Sequence, residues 1–298
     1  MTISRIALLG FGEVGQILGE DLAAIGVDEI AAWDIKFEDA GSGPSRALTG
    51  NYVTAGANAR NAIQGADLVI SAVTAAQTVD AAKSVTSAIK SDALYVDMNS
   101  ASPAVKVEAA AIIDEAGGRY VEAAVMSPIA PKRLATPMLA GGPNANAFID
   151  AASRLGFSGA VFFDDQYGKA AAAKMCRSVM VKGMEALLTE ALLAARHYEV
   201  DALVITSLDD LFPGRDWKTL SQYMISRSLE HGARRAEEMR EVAQTVCEAG
   251  VDPLMSTACA ERQDWAAAHK GAVKETTLAP MLDAILQTIE TKKDAASC

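Results

Sequence analysis

The stretch "ALLGFGEVG" (residues 7–15) does more than any other to limit how this chain can fold. A short aliphatic run, Ile6–Leu9, ends in Gly10-x-Gly12-x-x-Gly15 and passes directly into a helical pattern. That spacing suits a strand-to-helix turn. The first glycine permits a tight reversal, the second leaves room for a close ligand, and the third lets the helix pack on the strand. The helix start presents backbone N–H groups and the positive end of its dipole, a ready site for a pyrophosphate. Gly10, Phe11, Gly12, Glu13, Val14 and Gly15 are therefore the expected phosphate-side residues of a dinucleotide site.

The context of the turn agrees with this. Short aliphatic or β-branched runs at Glu29–Trp33, Leu68–Ala72, Ala93–Asp97, Arg119–Ala124, Pro137–Ala140 and Ala160–Phe163 alternate with alanine-rich helical stretches, as in βαβ units around a parallel sheet. The reading is an α/β Rossmann domain over residues 1–166. Asp34 ends the second strand, where a carboxylate accepts hydrogen bonds from the adenosine ribose hydroxyls and repels a 2′-phosphate. The pattern favours NAD, and Lys36 keeps NADP open by offering a partner for that phosphate. Val73 and Thr74, after the Leu68–Ala72 strand, are further cofactor-lining candidates, mainly through their backbone.

After Gly168 the texture changes. "GKAAAAKMCRSVMVKGMEALLTEALLAARHYEV" reads as one helix of roughly 28 residues, apolar nearly all round, which other helices must cover. The remainder is helical, broken at "LFPGRDW", "EAGVDP" and "TLAPM". The second domain, residues 167–298, is expected to be all-α and joined to the first through the long helix, with the last residues, "TKKDAASC", fraying.

With 298 residues, half of them apolar, the chain can build cores of this kind. A formal net charge of -11 disfavours nucleic acid and anionic membrane surfaces as partners. No span of about 18 apolar residues and no signal pattern occurs, so a cytoplasmic protein without a membrane partner is expected. Cys176, Cys247, Cys259 and Cys298 lack CxxC spacing, which points to free thiols rather than a disulfide framework or zinc site. No Gly-x-Ser-x-Gly or His-Glu-x-x-His motif competes for the chemistry, and no metal is expected.

Three further stretches, in order, resemble motifs of the β-hydroxyacid dehydrogenase family, which includes 3-hydroxyisobutyrate and 6-phosphogluconate dehydrogenases. "YVDMNSASPA" is similar to the family's substrate loop, Asp-x-Ser-Thr-x-x-Pro, with Asn99 and Ser100 at the positions that touch the substrate carboxylate. Asn99 also lies on the cofactor side. "EAAVMSPIAPKRLATPMLAGG" resembles the Asp-Ala-Pro-Val-Ser-Gly-Gly loop, and "YGKAAAAKMCRS" resembles Gly-x-x-x-x-x-Lys-x-x-x-Asn on the interdomain helix. "HGARRAEEM" looks most like a bacterial 6-phosphogluconate-dehydrogenase-like subgroup with a variant helical domain. That domain is much shorter than in 6-phosphogluconate dehydrogenase itself.

The resemblance implies hydride transfer between nicotinamide and a small 3-hydroxy acid or related polar alcohol, with Lys174 as the proton shuttle. The residues around Lys174 point the same way: Ala170–Ala173, Met175 and Cys176 leave no polar face, and desolvation lowers a lysine's pKa toward neutrality. Two departures touch the substrate. Ser127-Pro128-Ile129 replaces the family's Gly-Gly, and proline has no N–H to offer a carboxylate. Ser178 stands where the family has an amide, still on the face of Lys174. Ser127 and Ser178 are thus substrate-side candidates. Arg234 and Arg235 can clamp a carboxylate, or belong to a salt-bridged helix face together with His231. Lys182 and Gly183 fit helix packing better than a site. An imine reductase on the same scaffold and a non-catalytic dinucleotide-binding protein remain the alternatives; Lys174 favours C–OH chemistry over the former. A long apolar helix beside a small helical domain also predicts a homodimer packed through that domain.

Overall fold

The aliphatic runs form strands where their pattern places them. The computed structural model describes residues 3–48 and 52–296, of which 292–296 by backbone only, so Cys298 lies outside the described residues. The strands are β1 (Arg5–Leu9), β2 (Glu29–Trp33), β3 (Thr54–Ala55), β4 (Leu68–Ser71), β5 (Leu94–Asp97), β6 (Arg119–Val125), β7 (Met138–Gly141) and β8 (Ala160–Asp164). The helices between them are α1 (Glu13–Ala24), α2 (Gly43–Ala47), α3 (Ala59–Ile63), α4 (Thr78–Val85), α5 (Pro103–Glu115) and α6 (Ala145–Arg154). One eight-stranded sheet results, in the order β3-β2-β1-β4-β5-β6-β7-β8.

The central strands carry apolar residues on both faces, as a sheet covered on both sides requires. One face builds a core from Ile6, Leu8, Leu68, Ile70, Val96 and Phe148, the other from Ala7, Leu9, Val69, Tyr95, Ile113 and Tyr120. Each fully buried Leu, Ile or Val contributes roughly 1.5–3 kcal/mol of transfer free energy. The order reverses between β1 and β4, and that switch point is where open α/β sheets bind ligands, at the carboxyl ends of the strands.

The sheet departs from an all-parallel expectation at one pairing: β7 runs antiparallel to β6 and parallel to β8. The connection between β6 and β7 explains it. Residues 126–137 hold only a 3-10 turn, Arg133–Ala135, and no α-helix of the kind that usually carries a chain back to a parallel start. Arg133 sits at positive φ, and its guanidinium ties this loop to α1 through Asp21 at 2.7 Å and Glu20 at 2.9 Å.

α7 (Lys169–His197) follows as a single helix, then α8 (Asp201–Leu211), α9 (Trp217–Glu248), α10 (Leu254–Ala267) and α11 (Leu278–Ala296). The chain divides into two compact units, Met1–Met175 and Cys176–Cys298, the division falling within α7. "TLAPM" marks a start rather than an interruption, because Pro280 occupies the first turn of α11, where its missing N–H costs nothing.

The apolar-all-round reading of α7 needs correction. Cys176, Arg177, Met180 and Leu187 are exposed, while Ser178, Lys182, Glu185 and Thr189 form a polar stripe that is buried. The stripe is satisfied inside the helical unit: Lys182 pairs with Glu238 at 2.6 Å and Glu185 with Arg235 at 2.5 Å. The aliphatic core of that unit is separate, built from Leu188, Leu192, Ile225, Leu229, Leu282 and Ile285. Cys176 and Cys247 are exposed free thiols, and burial pushes the Cys259 thiol up to about 11.

Candidate active site

At the switch point, Gly10 and the turn after β4 meet closely. Gly10 has φ +89°, and a Cβ there would come within 2.4 Å of the Ala72 carbonyl oxygen. A Cβ on Gly15 would meet the Gly10 carbonyl oxygen at 2.2 Å. Gly12 is different, because a Cβ there meets nothing within 4 Å, and as N-cap of α1 it gives the helix no side-chain acceptor. Space is thus free beside Gly12 at the start of α1, which fits a pyrophosphate at the helix N-terminus. Glu13 is exposed at this helix start and Val14 packs partly into the core. Phe11 is a core residue: its ring lies against Phe37 and Tyr52, and its N–H donates to Asp34 Oδ2 at 2.7 Å.

Asp34 thereby braces the glycine turn from the end of β2, while its other oxygen accepts from the Lys36 N–H at 2.9 Å. Lys36 is exposed on the 3-10 turn that follows. Across the switch point, Val73 N–H donates to Asn99 Oδ1 at 2.7 Å, and Asn99 Nδ2 donates to Ser71 Oγ at 3.1 Å. The buried Asn99 amide therefore joins the turn after β4 to the loop after β5 and sets the height of Val73 and Thr74 above the sheet.

That loop carries Ser100, which is half-buried and accepts a hydrogen bond at 2.5 Å from the half-buried Lys174 Nζ. Sequence reasoning singled out these two residues separately, 74 positions apart, and the fold puts them in contact. What holds each of them was not read from the sequence. Asp97, fully buried at the end of β5, accepts from the Asn99 N–H at 2.8 Å, from Lys106 Nζ at 2.7 Å and from the Tyr120 hydroxyl at 2.6 Å. Glu122, directly opposite Asp97 on β6, accepts from the N–H groups of Gly168, just before α7, and Ala171, in its first turn. Burial raises the Glu122 carboxyl above the usual range, opposed by Lys106 and by those two amides. Burial and the neighbouring Asp97 likewise raise Tyr120, so its hydroxyl stays protonated and donates. A usable signal existed: a single acidic residue in each of the apolar strands "LYVD" and "RYVEAAV", and a lone lysine in "SPAVKVEAAAII".

The other candidates lie as follows. Ser127 is half-buried after β6, its hydroxyl 3.5 Å from the Pro128 carbonyl oxygen. Ser178 is buried on α7, one turn beyond Lys174. Arg234 pairs with Glu238 at 2.8 Å and Arg235 with Glu185, so each guanidinium already has a carboxylate within the helical unit. His231 is held below its ordinary pKa by burial and by Arg227. Among the described residues, no group of three or more His, Cys, Asp or Glu is placed to hold a metal, and no helix is long and apolar enough to cross a membrane.

Comparisons with known proteins agree with this geometry. Residues 5–162 match the family model described as the NAD binding domain of 6-phosphogluconate dehydrogenase, and residues 195–266 match a domain of unknown function, DUF1932. A conserved hypothetical protein from Sinorhizobium meliloti is 34% identical, covering 96% of this chain and 97% of its own, with a TM-score of 0.75. A conserved protein of unknown function, described as structurally similar to 3-hydroxyacid dehydrogenases, is 30% identical over 88% of this chain and 96% of its own, with a TM-score of 0.70. The 3-hydroxyisobutyrate dehydrogenase of Mycobacterium tuberculosis, solved with L-serine, shares the fold at 16% identity, covering 96% of this chain and 99% of its own, with a TM-score of 0.72. With the glycine turn, the substrate-type loop and the lysine-bearing helix set around one sheet edge, the chain belongs to the β-hydroxyacid dehydrogenase family and carries its NAD(P)-binding domain.

Proposed function

We propose that this protein is an NAD(P)-dependent dehydrogenase that transfers hydride between nicotinamide and a small 3-hydroxy acid or a closely related polar alcohol, with Lys174 moving the proton. The observation that carries this reading is the hydrogen bond between Lys174 Nζ and Ser100 Oγ, an amine and a hydroxyl in contact in the loop that leaves β5 of the sheet whose β1 ends in the glycine turn. Gly10, Gly12, Gly15 and the start of α1 would hold the pyrophosphate, and Asp34 would face the adenosine ribose, favouring NAD over NADP. Bound nicotinamide supplies the hydride acceptor. Lys174 takes the proton from the substrate hydroxyl and returns it to the carbonyl in reverse, a role worth about 10²–10⁴ in rate. Ser100 orients Lys174 and, with Asn99 and Ser127, receives the polar end of the substrate.

Because Pro128 offers no N–H, a substrate carboxylate would lose one of the two backbone amides that a Gly-Gly pair supplies and lean more on hydroxyl donors. This favours compact substrates with a hydroxyl or amide in addition to the reacting carbon. We further propose a cytoplasmic homodimer packed through the helical unit. The test is a panel of 3-hydroxy acids, polar alcohols and the matching carbonyls, assayed with both cofactors. The proposal expects turnover of at least one alcohol/carbonyl pair and a preference for NAD; cofactor binding without any turnover would favour a non-catalytic protein, and turnover of imines alone would favour an imine reductase.

A further inference from the structure

The contact between Ser100 and Lys174 joins two segments that are each anchored, a few residues earlier, on a different buried carboxylate. Ser100 lies in the loop leaving β5, and Asp97 folds that loop over by accepting the Asn99 N–H at 2.8 Å. Lys174 lies near the start of α7, and Glu122 holds that start by accepting the N–H groups of Gly168, at 2.6 Å, and Ala171. Asp97 and Glu122 are direct neighbours across the β5–β6 pairing, both without solvent exposure. A single buried cation serves the pair. Lys106 of α5 places Nζ 2.7 Å from Asp97 Oδ1 and 3.2 Å from the Asp97 carbonyl oxygen, and its charge acts on Glu122 as well.

Two carboxylates and one ammonium in a sheet interior are expensive to bury, and an apolar trio of similar volume would commonly be as stable. A function for the arrangement is therefore worth seeking, and the geometry supplies one. A carboxylate at the first turn of a helix fixes the position of that turn through its amides and the helix dipole. Lys174 sits one turn beyond Ala171, so a change in how Glu122 meets α7 moves the amine relative to Ser100. Asp97 does the same for Ser100 from the other side.

We propose that Asp97, Lys106 and Glu122 form a buried positioning triad that sets the Lys174–Ser100 geometry, Glu122 being the positioning residue for Lys174. The catalytic consequence rests on the reading of Lys174 as proton shuttle; the positional claim does not. None of the three reaches the reacting atoms. They act through the loop and the helix, and a misplacement of about 1 Å in such a pair is enough to cost 10²-fold in rate.

The experiment measures Lys174 directly. Trace labelling of the full-length protein with an amine-selective reagent across pH, read per lysine by peptide mass spectrometry, gives each amine's labelling rate and titration midpoint. Glu122→Gln loses one of the two acceptors toward α7; Glu122→Asp keeps the charge for Lys106 but withdraws the carboxylate by one methylene. In each variant the proposal expects the Lys174 labelling rate to change by about threefold or more with a displaced midpoint, Lys36 and Lys90 serving as unchanged internal references. If one variant fails to fold by circular dichroism, the other carries the test. Folded variants whose Lys174 profile matches the wild type overturn the proposal. Turnover is scored separately: a changed Lys174 profile in a protein that oxidises no alcohol would leave the triad standing and remove the dehydrogenase reading, while an active enzyme with an unchanged profile would do the reverse.

Discussion

Gly10 and Gly12 are two positions apart in one motif and answer to different demands. Gly10 is required by the fold, since its φ is positive and a Cβ would strike the Ala72 carbonyl oxygen. Gly12 is spare as far as the fold is concerned, because its neighbourhood is open. Gly10→Ala is accordingly expected to destabilise by more than about 1 kcal/mol, since native φ is incompatible with a side chain. Gly12→Ala should cost about 1 kcal/mol or less, through a poorer helix cap, yet weaken NAD(H) binding about tenfold or more. Thermal melts and cofactor titration on the two variants check the contrast, and equal effects on both readouts would contradict it. The same scale shows what was legible. Lys174 and Ser100 were readable because motif spacing marks them, whereas Lys106 looks like any helical lysine until the strands place Asp97 beside it. Phe11 adds what the motif did not show: its ring is part of the core, packed against Phe37 and Tyr52.

Elements carry the electrostatics. Asp67 opens β4 and accepts from the Ser4 N–H at 3.0 Å, the Ser4 hydroxyl at 2.9 Å, the Arg5 N–H at 3.3 Å and Lys90 at 2.5 Å, pinning the start of β1. Burial alone would raise its carboxyl, but Lys90 and the Ser4 and Arg5 donors win and hold it at about 2. The native pKa lies below the unfolded value, so this stabilisation is complete above about pH 4 and disappears as pH falls through about 2. Lys90 is half-exposed, which limits the contribution through screening. Asp67→Asn is thus expected to lower stability by about 1 kcal/mol at pH 7, with the difference from wild type closing between about pH 4 and pH 2 in denaturant titrations. A difference that does not vary with pH would contradict the assignment. Strand positions were legible from aliphatic runs of four or more residues; β3, with only Thr54 and Ala55, is too short to leave a pattern. The direction of β7 is not encoded in its own residues. The proline-rich, helix-poor connection before it held that information.

At the scale of the whole molecule, the helical unit exposes Leu203, Leu211, Phe212, Tyr223, Leu254 and Met255, apolar side chains that the proposed dimer would cover. Sedimentation at micromolar concentration is expected to give twice the chain mass, and Leu203→Glu with Leu211→Glu to shift the protein toward monomer; a wild type that sediments only as monomer would contradict the proposed dimer. The two-part architecture was legible because aliphatic strand-length runs alternate with helical stretches up to residue 163 and only helical patterns follow Gly168. The charge network of the second half was not, since the buried Lys182 and Glu185 and the half-buried Arg235 and Glu238 resemble a solvated helix face until α7 and α9 are packed.

Everything functional converges on one amine, and the most direct measurement compares Lys174→Ala with wild type on whichever alcohol the panel identifies. With Lys174 moving the proton and not holding the cofactor, as proposed, kcat/KM is expected to fall by about 10² or more while NAD(H) affinity stays within about twofold. Turnover that survives in Lys174→Ala, with the same pH profile as wild type, would contradict it.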